Sequence, residues 1–229
     1  MKIGLVIPWR ETPSRVRPLQ AVLEWYKDNL PDVEIIYADK PGEFWCASGS
    51  RNLGVKKAQE AHCDVVIIND ADTIPQITPL LEAIEQCQTD GMVHNPYRLC
   101  KYYDMNMSEL IYSGMNPDVL KHTLYTEANG GIWVCTPETW WSVGGMDEKF
   151  LQWGGEDNVF ELAHTVIKGS KLVKHDGTIY CLGHVAQIHD PGFNYNQHRN
   201  FELYWLYYSA TTPERMLALV KQETLSDLR

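Results

Sequence analysis

Two hydrophobic rhythms alternate along the first 95 residues of the chain. Ile3 to Ile7 is a short apolar run ending at Pro8-Trp9-Arg10, which predicts a strand. Ser14 then offers a helix N-cap, and Val16, Leu19, Val22, Leu23 and Tyr26 recur at helical spacing. Val33 to Tyr37 predicts a second strand ending at Asp39, followed by a loop, Lys40 to Trp45, and a helix from Arg51 to Ala61. Val65-Val66-Ile67-Ile68 is a run of four β-branched residues, the pattern of a strand buried on both faces of a parallel sheet. A third helix is predicted from Ile77 to Cys87, with Leu80, Leu81 and Ile84 inward, and a fourth strand from Met92 to His94. This order implies a mostly parallel central sheet flanked by helices, with right-handed crossovers.

The alternation stops there. Residues 96–128 carry Tyr97, Tyr102, Tyr103 and Tyr112 with little periodicity and read as an irregular lid or acceptor-side segment. Gly130-Gly131 precedes a short strand, Ile132 to Cys135, and Pro137 to Val143 predicts a helix with Pro in its first turn and Gly144-Gly145 as its C-cap. Glu156 to Ile167 predicts another helix, and Lys171 to Lys174 and Ile179 to Leu182 two short strands. The tail predicts helices over Arg199–Tyr208 and Pro213–Glu223. With no repeats or linkers, the reading is one domain in three parts: a nucleotide-binding half over 1–95, an acceptor or catalytic half over 96–190, and a helical extension over 191–229.

Composition narrows the class. The 229 residues are 44% hydrophobic and 22% charged, an ordinary globular balance. A net charge of −10 disfavours gripping a nucleic-acid backbone, although Lys56, Lys57, Lys168, Lys171 and Lys174 could form a local basic patch. Six scattered cysteines without a CxxC pair fit reduced thiols in a cytoplasmic protein. No apolar run approaches the roughly 20 residues that cross a bilayer.

Candidate chemistry clusters at predicted strand ends, where open α/β sheets bind ligands. Asp70 and Asp72 end the Val65–Ile68 strand, and two hard oxygen donors so close suit Mn²⁺ or Mg²⁺. Pro8, Arg10 and Asp39 end the first two strands, and Arg51 starts the helix before the third. Glu156 and Asp157 follow Trp153-Gly154-Gly155, and His184 and His189 follow the last strand. Taken alone, these carboxylates could be a solvated turn and a charged first helical turn, and Trp133, Trp140 and Trp141 read as core.

Together the motifs carry a resemblance. Ser50-Arg51-Asn52-Leu53-Gly54, Asn69-Asp70-Ala71-Asp72, Gly144-Gly145-Met146-Asp147-Glu148-Lys149-Phe150, Trp153-Gly154-Gly155-Glu156-Asp157 and Gly183-His184-Val185 occur in the order seen in GT-A fold glycosyltransferases. The chain resembles the family-2 enzymes and the galactosyltransferase and polypeptide N-acetylgalactosaminyltransferase group over about residues 3–190.

That resemblance implies a metal-dependent transfer of a sugar from a nucleotide sugar, a UDP-sugar first, to an acceptor hydroxyl. It implies that Asp72 and His184, with His189 as rival, hold Mn²⁺ or Mg²⁺. It implies Asp70 near the ribose and metal, Asp39 facing the base, and Pro8, Arg10 and Arg51 in the donor pocket. Trp153, Gly154 and Gly155 would cover the donor sugar. Glu156 or Asp157 would bond the sugar, with Asp157 as base in an inverting reaction. Arg10-Glu11-Thr12 and Asn158-Val159 depart from the family pattern. The acceptor is open among glycans, lipid-linked glycans, proteins and a hydroxymethylated DNA base. A non-catalytic nucleotide- or carbohydrate-binding module is the alternative. A sugar-nucleotide pyrophosphorylase is disfavoured, because its glycine-rich phosphate loop is missing after the first strand.

Overall fold

The computed structural model describes residues 1–186 and 192–221. The chain opens with strand β1 (Ile3–Pro8), helix α1 (Pro13–Asn29), β2 (Glu34–Ala38), α2 (Ala47–Glu60), β3 (Val65–Asn69), β4 (Thr73–Pro75), α3 (Ile77–Asp90) and β5 (His94–Asn95). It continues with β6 (Leu99–Tyr102), α4 (Met105–Tyr112), β7 (Thr123–Thr126), β8 (Ile132–Cys135), α5 (Pro137–Ser142) and α6 (Glu156–Lys168). Strands β9 (Val173–Lys174) and β10 (Thr178–Cys181) and helices α7 (Phe193–Tyr208) and α8 (Pro213–Val220) complete it.

A six-stranded sheet runs in the order β2-β1-β3-β8-β5-β9. β1 is parallel to both β2 and β3, and β5 is parallel to β9. β8 lies antiparallel between β3 and β5, so the fourth predicted strand does not pair with the third. The pattern alone could not foresee this, because β8 arrives from far downstream.

Period-2 geometry explains the core. Leu5, Ile7, Val65 and Ile67 pack one face against Leu19, Val22, Leu80 and Ile84 of α1 and α3. Val6, Val66 and Ile68 pack the other face against Val55, Trp140 and Phe160 of α2, α5 and α6. These strand residues are fully buried, each worth about 1.5–3 kcal/mol of transfer free energy. Trp133 and Trp140 are likewise core. Asn69, at the end of β3, is buried and fully used: Tyr26 Oη donates to its Oδ1, and its Nδ2 donates to the carbonyls of Asp70 and Thr73. That amide fixes the turn carrying Asp70 and Asp72.

Residues 96–128 are not irregular. β6 and β7 belong to a second, four-stranded sheet, β4-β10-β6-β7, and α4 lies between them. The segment lacks a clean rhythm because the sheet is half open: Leu99, Tyr102, Leu124 and Tyr125 are apolar yet exposed. α1 is preceded by Thr12 rather than capped by Ser14, α2 begins at Ala47, and α7 begins at Phe193, each earlier than predicted. All six cysteines are free and buried. Among the described residues no helix is long and apolar enough to cross a membrane.

Candidate active site

The site is built by three backbone decisions. First, β4 pairs antiparallel with β10, setting Thr73 opposite Cys181, and Leu182 N–H donates to Asp72 O at 2.7 Å. This brings the Gly183-His184 turn beside Asp72. Second, the Arg51-Asn52-Leu53-Gly54 segment of α2 divides its work. Gly54 lets the helix approach β1, where a Cβ would collide with Val6. Asn52 brackets Met146: its Nδ2 donates to Met146 O at 2.8 Å, and its Oδ1 accepts from Met146 N at 3.0 Å. Arg51 is left pointing toward the strand ends. Third, the turn before α6 winds through Gln152 and Gly155 in left-handed conformation, at φ 59° and 91°, and sets Glu156 and Asp157 in the first helical turn. The helix dipole favours negative charge there.

A cleft of about 440 Å³ lies beyond the carboxyl ends of β1 and β3. Of the residues named from sequence, Pro8, Arg51, Asp70, Asp72, Trp153, Glu156, Asp157 and His184 line it. Arg10, Asp39, Gly154 and Gly155 do not. Arg10 and Asp39 pair with each other, Nη2 to Oδ1 at 2.8 Å, and Arg10 lies 5.5 Å over the ring of Trp45, which does line the cleft. His189 lies outside the described residues.

Arg51 is the hub of one end. Its guanidinium, 4% exposed, contacts Asp70 and Asp157 at 2.9 Å each and Glu156 at 4.0 Å, and stacks 4.5 Å over Trp133. Burial opposes its charge, but the three carboxylates outweigh burial and hold its pKa up. Burial raises Glu156 against the pull of Arg51. Burial also pushes Asp157 up to about 7, with Arg51 opposing and Glu156 and Asp70 adding to the rise. Asp157 Oδ2 fits only because residue 130 is glycine: a Cβ there would strike it.

Asp72 and His184 form the other end. His184 Nε2 is 2.9 Å from Asp72 Oδ2, and Nδ1 faces Val185 O at 2.9 Å. With its proton on Nε2 the ring donates to Asp72, and with its proton on Nδ1 it donates to Val185 O. Burial works to raise Asp72, but His184, Arg15 and Thr73 together hold it below the ordinary carboxylate range. Asp70 and Asp72 both line the cleft but take different partners, Arg51 for Asp70 and His184 for Asp72.

Two donors at this spacing fit a divalent ion. Two cis ligands at about 2.1 Å from one centre stand about 3.0 Å apart, and Mg²⁺-type ions take one or two protein donors plus phosphate and water. Among the described residues no group of three His, Cys, Asp or Glu side chains forms a closed cage.

The sequence reading missed Arg15, Trp45, Tyr102, Gln152 and Phe193, all lining the cleft. Trp45 had a signal, standing at the end of a strand-following loop. Arg15 sits on α1 in no motif.

The fold and cleft define an α/β protein with its site beyond the ends of parallel strands and an antiparallel strand beside the acidic turn. Residues 116–173 match the family model described as the N-terminal domain of galactosyltransferase. That segment includes β7, β8, α5, α6 and the turn before α6, but neither Asp72 nor His184. No curated protein matches the sequence significantly. The structure of GalNAc-T7 with UDP, GalNAc and Mn²⁺ superposes over 92% of this chain and 50% of that one, at 14% identity and TM-score 0.53. The mannosyltransferase PcManGT of Pyrobaculum calidifontis, with GDP-Man and Mn²⁺, superposes over 97% of this chain and 68% of that one, at 10% identity and TM-score 0.50. The catalytic domain of Drosophila β1,4-galactosyltransferase 7, with xylobiose, gives 77% and 67% coverage, 16% identity and TM-score 0.49. The chain thus spans only half the length of the GalNAc-T7 structure. It has the GT-A fold of glycosyltransferases.

Proposed function

We propose that the chain is a metal-dependent, inverting glycosyltransferase that takes a nucleotide sugar, a UDP-sugar first, and an acceptor hydroxyl. One observation supports this reading: the Asp72–His184 pair and Asp157, whose carboxyl burial pushes up to about 7, line the same cleft. Residues 1–95 serve the nucleotide, with Pro8, Trp45 and the Arg10–Asp39 pair on the base and ribose side. Residues 96–190 serve the acceptor and the chemistry. Asp72 and His184 would hold Mn²⁺ or Mg²⁺, which would supply positive charge for the departing diphosphate.

The chain's own groups do the rest. Asp157 accepts the proton of the acceptor hydroxyl as its oxygen attacks the anomeric carbon. The bond from that carbon to the phosphate oxygen breaks on the opposite face. Glu156 bonds the sugar, Asp70 is held by Arg51 on the ribose side, and Trp153, 61% exposed at the mouth, closes over the donor with Gly154 and Gly155 to exclude water.

A nucleic-acid acceptor is not favoured. Lys174 of the candidate basic patch is spent on Glu127 O, Ala128 O and Asn129 Oδ1. Buried free thiols fit a reducing compartment, so a cytoplasmic location belongs to the same reading.

The test is a melting screen of UDP- and GDP-sugars with and without Mn²⁺, on the wild type and Asp72→Asn, followed by a transfer or donor-hydrolysis assay. A ligand that binds only the folded state raises the melting point. The expected result is a Mn²⁺-dependent rise that Asp72→Asn abolishes, with turnover in the wild type. A rise that ignores the metal, or survives Asp72→Asn, removes the metal role. A rise without turnover supports the binding-module alternative instead.

A further inference from the structure

Arg15 belongs to no motif, yet it reaches Asp72 and His184. Its Nη2 lies 3.1 Å from His184 Nε2 and its Nη1 lies 3.7 Å from Asp72 Oδ2. His184 Nε2 and Asp72 Oδ2 stand 2.9 Å apart, and the guanidinium of Arg15 lies beside both. Asp72 is buried, so its carboxylate favours a positive charge beside it. In the chain alone Arg15 supplies it.

The position of Arg15 is also costly to its helix. It lies in the first turn of α1, which has no acidic residue there, and a cation at a helix N-terminus opposes the dipole. Arg17, two residues on, offsets the same cost by pairing with Glu109 and lying 4.7 Å over the ring of Tyr112. Among the described residues the guanidinium of Arg15 has no charged partner except Asp72 and His184. A side chain 25% exposed, at the cleft wall, is free to turn toward a ligand.

We infer that Arg15 is an exchangeable counter-ion. It occupies the place beside Asp72 and His184 in the metal-free chain, yields it to a divalent ion, and then turns its guanidinium to the diphosphate that the ion binds. The inference rests on the proposed metal–diphosphate role of Asp72 and His184. Its consequence is a sign reversal. Arg15 opposes the metal alone, because two cations compete for one carboxylate and one imidazole. It favours the metal and nucleotide together, because the diphosphate brings negative charge enough for both. Metal and nucleotide therefore bind with positive coupling, and each strengthens the other by the same factor.

The test measures free Mn²⁺ by electron paramagnetic resonance while the protein is titrated, with and without UDP, and repeats it with GDP. The chains are wild type, Arg15→Gln, Arg15→Lys and Asp72→Asn, each checked for folding by circular dichroism. Arg15→Gln should bind Mn²⁺ alone about three- to tenfold more tightly, the scale for removing a partly exposed like charge. It should bind UDP in saturating Mn²⁺ about tenfold or more weakly, the scale of a lost charge-assisted hydrogen bond. Arg15→Lys, which keeps the charge, should lie close to wild type for Mn²⁺ alone. If Asp72→Asn loses Mn²⁺ while Arg15→Gln binds it no more tightly than wild type, or binds UDP as well, the exchange is wrong and the metal site stands. If wild type and Asp72→Asn bind Mn²⁺ alike, both the site and the exchange fall.

Discussion

The two ends of the cleft use the same ingredients, an arginine and aspartates, to opposite effect. Arg51 is 4% exposed and contacts three carboxylates, so charge is fixed there by burial and multiple partners. Arg15 is 25% exposed and contacts one carboxylate at 3.7 Å and one imidazole at 3.1 Å. A buried guanidinium with several short contacts cannot leave without exposing unpaired charge to a low-dielectric site. A half-open one loses little by moving, since water replaces its contacts. The lesson is that burial, not residue type, separates the arginine that organises a site from the one that can exchange within it. One end carries an acid raised toward neutrality, and the other an acid held ionised.

The severest way to break this contrast is at Arg51. Replacing it with Met keeps bulk over Trp133 but leaves Asp70, Glu156 and Asp157 facing one another. Removing one partner of a buried ion pair costs about 3–5 kcal/mol, or roughly 6–20 °C of melting temperature for a domain this size. The corresponding Arg15→Met change should move the melting point by no more than about 2–4 °C. Thermal unfolding of both measures the gap, and equal shifts would dissolve the distinction between the two arginines. A smaller effect is expected on rate. Asp157→Asn keeps the shape and the contact with Arg51 but cannot take a proton, so transfer should fall at least about a hundredfold while Mn²⁺-dependent donor binding stays near wild type. An unchanged rate would move the base elsewhere or make the reaction retaining.

How much of this was legible in the chain depends on range. The helices and four of the five strands of residues 1–95 follow from local rhythm, because Val65 to Ile68 and Gly4 to Ile7 are buried on both faces and advertise it, whereas β4 was not foreseen. The pairing did not follow. Nothing near Ile132–Cys135 says that it inserts antiparallel beside β3, since that contact spans more than sixty residues. The 96–128 segment hid two strands because its sheet is open to solvent and needs no clean alternation. In the cleft, motif residues came together where a short turn holds them, as with Asp157 and Glu156. Arg10 and Asp39 end their strands as predicted but spend their charges on each other. Asp70 and Asp72 share a motif yet part company, because Arg51 reaches one and His184 the other. Arg15 was invisible, since one basic residue on an amphipathic helix carries no pattern.

Proton linkage offers the finest test of the contrast, because the two ends have opposite signs. The folded pKa of Asp157 is raised, chiefly by burial, to about 7, above the ordinary unfolded value near 3.9. Between those values the folded chain binds a proton that the unfolded chain has released. This group's contribution to stability is therefore full below the unfolded pKa and is lost as pH rises through about 7. Asp72 is lowered, so its contribution is present above the unfolded pKa and is lost as pH falls through its folded value. Asp157→Asn should accordingly flatten the neutral part of the stability–pH curve, and Asp72→Asn the acid part. Chemistry follows the same proton. Asp157 acts as a base only when ionised, so kcat/KM should drop about tenfold per unit below pH about 7 and level off above it. A rate profile already flat from pH 5 to 8 would mean that this carboxylate titrates like an exposed one. Asp157, 29% exposed, would then be held by solvent and Arg51 together, and the two ends would differ in the burial of their arginines alone.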